Sequence, residues 1–287
     1  MRPYGAGTRK PKSSHLSPYK KSDLTLTACL DERQAVFLLL TADAGRMVII
    51  ISMLGFPFLD DWLKDASTHP RSEERPIVTL SYAQSLDGSI ALHRGAPLAL
   101  SGPESMRLTH YLRANHDAIL AGIGTIESDD PQLTVRLVEG ESPLPVILDS
   151  QLRISPSARV FQHPKRPVIA CLEASAKSDK ALILSRAGAV ILPLPEDGRG
   201  YISLPILLSS LKPLGIDTLM VEGGATVITA FLQQKLVDRL VVTITPLFSG
   251  GLHAVTGELG ETLEALPHIK NIRVERCGDD VIILGGI

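Results

Sequence analysis

The chain has 287 residues, a formal net charge of −2 and 44% hydrophobic residues, enough length for one large domain or two small ones and no overall charge to attract nucleic acid or a membrane surface. Its three cysteines, Cys29, Cys171 and Cys277, are odd in number and far apart, which argues against a disulfide framework and for a reducing, cytoplasmic setting. No Cys or His pair has metal-ligand spacing, and neither His-x-Glu nor Pro-Cys-x-x-Cys occurs, so no metal site is expected and a nucleobase-deaminase zinc site is excluded.

Residues 1–75 differ from the rest. The first 21 carry Arg2, Arg9, Lys10, Lys12, Lys20 and Lys21 without an acid. Such a start is read as a disordered segment, as organellar targeting, or as an over-long beginning with Met47 or Met53 the true initiator. Two apolar runs follow at 35–40 and 47–59, but Asp43 and Arg46 keep this region short of a membrane span. The second run is expected to pack on the main domain as a strand or a helix. The boundary between this N-terminal extension and the main domain is placed at 75/76.

From Pro76 onward, strand-like runs occur at 77–83, 117–123, 145–149, 167–172, 189–194, 217–221, 240–246 and 281–284, with helical stretches at 103–115, 174–187, 203–213 and 225–237. This alternation predicts an α/β domain over 76–287: a mostly parallel sheet with helices on both faces. No helix separates the last two strands, so with "NIRVER" they form an antiparallel C-terminal edge.

Four stretches carry candidate chemistry. In "RPIVTLSYAQSLDGSIAL" (75–92) a strand runs into Leu86-Asp87-Gly88, a turn signal. A helix start follows at Pro103, with Ser101 or Ser105 as the cap. "LRANHDAILAGIGTIESDDPQLTVRL" (112–137) is a strand loosened at its exit by Gly122 and Gly124 and closed by the Asp129-Asp130-Pro131 turn. Arg113 and Arg136 flank this unit, either as forks for a phosphate or as solvated surface charges. "PVILDSQLR" (145–153) ends a strand in Asp149-Ser150 with Arg153 beyond, a hydroxyl and a cation that face a cofactor phosphate or belong to an ordinary loop. "LMVEGGATVITAFLQQKLVDRL" (219–240) reads as strand, Gly-Gly turn and helix. Gly223, Gly224, Ala225 and Thr226 are either a cradle for an anion, with free first-turn amides, or a tight turn that needs glycine for packing. A valine at Gly224 would block close approach and oppose a positive φ. Glu222, at the strand's carboxyl end, would repel cofactor phosphate unless it faced substrate hydroxyls or amines.

The order SLDG, LRA-x-x-DAIL-x-G-x-GT-x-x-x-DDP-x-LTVR, P-x-x-LDS, VEGGA resembles the reductase family of riboflavin biosynthesis over about residues 75–287. That family comprises the dihydrofolate-reductase-like C-terminal half of the bifunctional bacterial deaminase/reductase and the stand-alone archaeal and fungal pyrimidine reductase. "YAQSLDG" and "LTHYLR" lean towards the fungal form. The resemblance implies that Ala83, Thr125, Asp129 and Ser150 line a nicotinamide cofactor and that Gly223 to Thr226 hold its phosphates. It implies that Arg113, Leu133, Arg136 and Glu222 contact a ribosyl-phosphate substrate, and it places Asp87 in a family motif. Where many bacterial members carry Ser and Trp after the SLDG segment, this chain has Pro97 and Ala99.

The resemblance further implies hydride transfer from NADPH, with NADH left open, to C1′ of the ribose of a 5-amino-6-ribosylaminopyrimidine 5′-phosphate. A homodimer and no dedicated catalytic nucleophile are implied as well. Two alternatives remain: reduction of another pterin or pyrimidine, and a catalytically idle NADP-binding module, to which only Pro97 and Ala99 point.

Overall fold

The structure, a computed structural model, describes residues 36–43 and 46–53 by backbone and 55–64, 73–96 and 98–287 in full. The basic start and Pro97 lie outside the described residues. Two compact units divide at Leu54/Gly55. In the first, β1 (Val36–Asp43) and β2 (Arg46–Met53) pair antiparallel, from Val36 opposite Met53 to Asp43 opposite Arg46.

The second unit begins upstream of the sequence boundary at 75/76, with α1 (Pro57–Lys64). The physical reason is amphipathy: Leu59 and Trp62 are buried with Leu108, Leu112, Val241 and Ile282. The Arg239 guanidinium lies 5.5 Å from the Trp62 ring centre and donates to Leu63 O at 3.1 Å. The run at 47–59 thus ends one unit as a strand and opens the other as a helix.

There follow β3 (Ile77–Ser85), β4 (Ser89–Ala91), α2 (Pro103–Ala114), β5 (Ala118–Gly122), α3 (Ile123–Asp129), β6 (Leu144–Leu148), β7 (Val168–Leu172) and α4 (Asp179–Arg186). The chain closes with β8 (Val190–Leu194), α5 (Leu204–Leu211), β9 (Thr218–Val221), α6 (Ala225–Gln233), β10 (Arg239–Thr245), β11 (Leu252–His253), β12 (Lys270–Cys277) and β13 (Asp280–Gly286). A nine-stranded sheet has the order β12-β13-β10-β3-β9-β5-β6-β7-β8, and β4 pairs with β11 apart from it. Neighbours from β10 to β8 are parallel, whereas β13 runs antiparallel to both β10 and β12. The expected sheet, helices and C-terminal edge are therefore present.

Strand periodicity splits each central strand between two cores. Ala118 and Leu120 of β5 face one cluster with α5 (Leu207, Leu208, Leu211) and α6 (Ile228, Phe231, Leu232), while Ile119 and Ala121 face another with α3 (Ile126) and α4 (Ala181, Leu184). Helices thus cover both faces, and the parallel strands read as continuous apolar runs.

Two local expectations are corrected. The N-cap of α2 is Gly102, with no side-chain cap bond. Pro103 sets the helix start, Gly102 N–H donates to Asp280 Oδ2 at 2.9 Å, and Ser105 Oγ donates to Cys277 O at 3.4 Å. The segment after β5 is the helix α3, ended by Asp130 in the left-handed region at φ 41 before Pro131.

Candidate functional site

Strand β9 enters the sheet between β3 and β5, although three strands and three α-helices separate it from β5 along the chain. Their carboxyl ends and that of β6 therefore meet where the strand order departs from chain order, the place where open α/β sheets bind ligands. A cleft of about 1290 Å³ opens there. Of the sequence-predicted residues, Ala83, Arg113, Thr125, Asp129, Ser150, Arg153, Glu222 and Gly223 to Thr226 line it; Asp87, Leu133 and Arg136 do not. Ala99 also lines the cleft. Among the described residues no three His, Cys, Asp or Glu side chains group as a metal site, and no helix is long and apolar enough to cross a membrane.

The two glycines after β9 do different work. A Cβ on Gly223 would lie 2.7 Å from Val227 Cβ, so glycine there lets α6 turn back on its own strand end. Gly224 is the N-cap of α6 at φ −72, and its Cβ would meet only Thr125 Oγ1 at 3.6 Å. The expected positive φ is absent. What glycine leaves at 224 is open space in front of the Ala225 and Thr226 amides, which have no intrahelical acceptor. Arg94, unremarked in the sequence, reaches across to donate to Thr226 Oγ1 at 3.3 Å. Space, aligned amides and a cation fit the phosphates of a dinucleotide.

The α2 side is made of charges. Arg113 donates to Glu222 through Nε (2.7 Å) and Nη2 (2.6 Å), and through Nη1 to Thr134 O (3.1 Å). Burial disfavours the Arg113 cation, yet Glu222 outweighs this and its pKa is raised. The two residues are thus brought together as a bidentate pair, with Glu222 held at the cleft by its partner. Arg136 is exposed; its Nη1 donates to Thr134 Oγ1 at 2.9 Å, and among the described residues it forms no salt bridge. Burial and the neighbouring Arg113 and Arg159 lower its pKa, the mark of a locally positive field.

Leu133 is 2% exposed, in a hydrophobic core, and holds φ 58, an uncommon strain for a bulky side chain. Its side chain is committed to that core and does not reach the cleft. Asp87 accepts from Ser85 Oγ (2.5 Å), Ser249 N–H (3.2 Å) and Gly250 N–H (2.7 Å), bonds that hold its pKa down to about 2. It staples the β3–β4 turn to the loop after β10. Arg153 pairs with Glu127 at 3.2 Å, both partners being largely exposed. His110, also missed in the sequence, accepts from Arg136 N–H at 3.0 Å through Nδ1. Its spacing of three from Arg113 on an amphipathic helix was the available signal.

Fold and site together define an α/β protein with a dinucleotide-sized cleft at a topological switch point and a charged wall opposite a glycine turn. Residues 76–283 match the RibD C-terminal domain family, and the chain belongs to that family. It is 36% identical over 215 residues to the Methanothermobacter thermautotrophicus 2,5-diamino-6-ribosylamino-4(3H)-pyrimidinone 5′-phosphate reductase, covering 73% of this chain and 97% of that one. It is equally 36% identical over 214 residues to the riboflavin biosynthesis protein RibD of Aquifex aeolicus, with 74% of this chain covered but only 58% of the relative's length. Among solved structures it is similar to the Saccharomyces cerevisia riboflavin biosynthesis reductase Rib7 at a TM-score of 0.62 and 28% identity, over 80% of this chain and 97% of that one.

Proposed function

We propose that this chain reduces the ribosyl group of a 5-amino-6-ribosylaminopyrimidine 5′-phosphate to the ribitylamino form, with NADPH as donor. The observation that carries the reading is one cleft with two unlike walls: amides at Gly224 to Thr226 on one side, and the Arg113–Glu222 pair with Arg136 beyond it on the other. The names of the relatives support it. A reduced nicotinamide, when bound, supplies a hydride.

The chain's own part is alignment. Gly223 to Thr226, Thr125, Asp129, Ala83 and Ser150 hold the dinucleotide, and Arg153 adds a cation at the Ser150 end for the extra phosphate that separates NADPH from NADH. Glu222, oriented by Arg113, accepts from substrate hydroxyls or amines. Leu133 contributes its main chain, and Arg136 binds the 5′-phosphate. Positioning two reactants can supply about 7–11 kcal/mol of a barrier, so no nucleophile is needed.

The decisive experiment is turnover by purified protein of the aminated and deaminated substrates with NADPH and NADH. Oxidation of NADPH by either substrate supports the reading, and cofactor binding without turnover would replace it with an idle module. The N-terminal extension we take to be dispensable for turnover over residues 1–46, so a chain starting at Met47 should match full-length rates. A homodimer is supported by apolar Ile272 and Val274, exposed on the edge strand β12, and Val281, exposed on its neighbour β13.

A further inference from the structure

The segment that carries Arg136 is not regular secondary structure, and its polar main-chain groups are satisfied by side chains from elsewhere. Arg113 donates to Thr134 O, Val135 N–H donates to Ser142 Oγ at 3.0 Å, and Arg136 N–H donates to His110 Nδ1 at 3.0 Å. His110 and Arg113 are three residues apart and share a face of α2, so one helix grips this segment at two points two residues apart. The Arg136 side chain, by contrast, is held among the described residues only at Thr134 Oγ1. The direction in which its guanidinium leaves the wall is therefore set by its main chain.

We propose that His110 is a positioning residue: by accepting from Arg136 N–H it fixes the main chain of Arg136 and aims the guanidinium at the substrate phosphate. This rests on the reading of Arg136 given above. The role requires a neutral imidazole with an unprotonated Nδ1, and the surroundings enforce one. His110 is 1% exposed. Burial, then Arg113 and Arg136, push its pKa down to about 4, with Glu222 opposing. In that tautomer Nε2 carries the proton, and it is buried without a hydrogen-bond partner among the described residues. An unmet donor is destabilising, so for packing alone a leucine would serve better. What histidine supplies here is the acceptor at Nδ1.

The test compares His110→Leu, which removes the acceptor, with His110→Asn, whose amide oxygen falls near the position of Nδ1. Steady-state kinetics are measured on the phosphorylated substrate and on its dephosphorylated counterpart. His110→Leu should raise KM for the phosphorylated substrate about tenfold, the effect of one lost hydrogen bond, with kcat within about twofold and the dephosphorylated substrate unaffected. His110→Asn should restore most of the loss. If leucine prevents folding, His110→Gln serves instead, since its amide matches Nε2 rather than Nδ1. In an Arg136→Ala background the leucine variant should add nothing to the KM. An unchanged KM, an equal effect on both substrates, or no rescue by asparagine overturns the proposal. If Arg136→Ala alone leaves KM for the phosphorylated substrate unchanged, it is the phosphate reading of Arg136 that fails.

Discussion

On the α6 side of the cleft the groups open to a ligand are main-chain amides from Gly224 to Thr226, whereas on the α2 side they are charged side chains that already hold one another. The first wall depends on what is missing, a Cβ at 224 and intrahelical acceptors for the leading amides of the helix, Ala225 and Thr226. The second depends on what is present: a carboxylate and a guanidinium in bidentate contact with little water around either. A wall of amides should be sensitive to volume and indifferent to charge. A wall of paired charges should behave the other way round.

The largest effect is expected from breaking that pair. Glu222→Ala leaves the Arg113 cation, whose side chain is 11% exposed, without its counter-ion. Breaking a buried pair from one side typically costs about 3–5 kcal/mol, so urea unfolding should show a loss of that order together with loss of turnover. A loss below about 1 kcal/mol would mean that the pair is a solvated surface contact and that this wall is not preorganised.

On the α6 side the sharpest comparison lies between adjacent glycines. Gly224→Val should weaken NADPH binding by at least about a hundredfold, roughly 2.7 kcal/mol, with little change in melting temperature, because its backbone lies at φ −72 and its Cβ has room. Gly223→Ala should lower stability by about 1–3 kcal/mol, because its Cβ would sit 2.7 Å from Val227 Cβ. Titration by cofactor fluorescence, with melting curves on both variants, separates the two. Unchanged affinity in folded Gly224→Val removes the phosphate cradle.

Arg136→Ala should have a smaller and more selective effect: KM for the phosphorylated substrate up roughly ten- to a hundredfold, as for a charge-assisted hydrogen bond of about 1.5–3 kcal/mol, with NADPH affinity unchanged. Equal damage to a dephosphorylated substrate would make this arginine structural.

The two walls were also unequally legible. Strand, glycine pair and helix on the α6 side are contiguous between Leu219 and Gln233, so local pattern was enough to find them. On the α2 side the sequence offered Arg113, Arg136 and Glu222 as separate ligand contacts. Their mutual arrangement spans 109 residues for Arg113–Glu222 and 26 for Arg136–His110, distances over which periodicity carries no information. Arg94, 132 residues from Thr226, was hidden for the same reason. Helix α3 was missed because Gly122, Gly124 and the Asp-Asp-Pro turn punctuate a helix of only 7 residues, and those signals mark its ends rather than its absence.

The smallest expected effect comes from mild acid, and it too separates the walls. His110 on α2 and His116 just beyond it both have pKa values pushed down to about 4, chiefly by burial, while α6 carries no histidine. His110 faces Arg113, Arg136 and Glu222; His116 donates through Nδ1 to Leu112 O, bonds Thr79 Oγ1 through Nε2, and faces Arg239, Asp117 and Glu222. A folded pKa below the unfolded value of about 6.5 means that the unfolded chain takes up protons first. The stability contributed by the neutral rings is therefore present above pH 6.5 and is lost as pH falls from there towards 4. Between pH 7 and 6 each histidine should account for roughly 0.5–1 kcal/mol of lost stability, and His163, also lowered by burial, adds in the same direction. Asp87, held down to about 2, titrates far below this window and does not compete. Urea unfolding at the two pH values measures the loss, and the imidazole proton shifts by NMR assign it. A stability that rises from pH 7 to 6, or ring shifts of His110 that titrate near 6.5, would show that the α2 wall admits water and that its charges are not held as described.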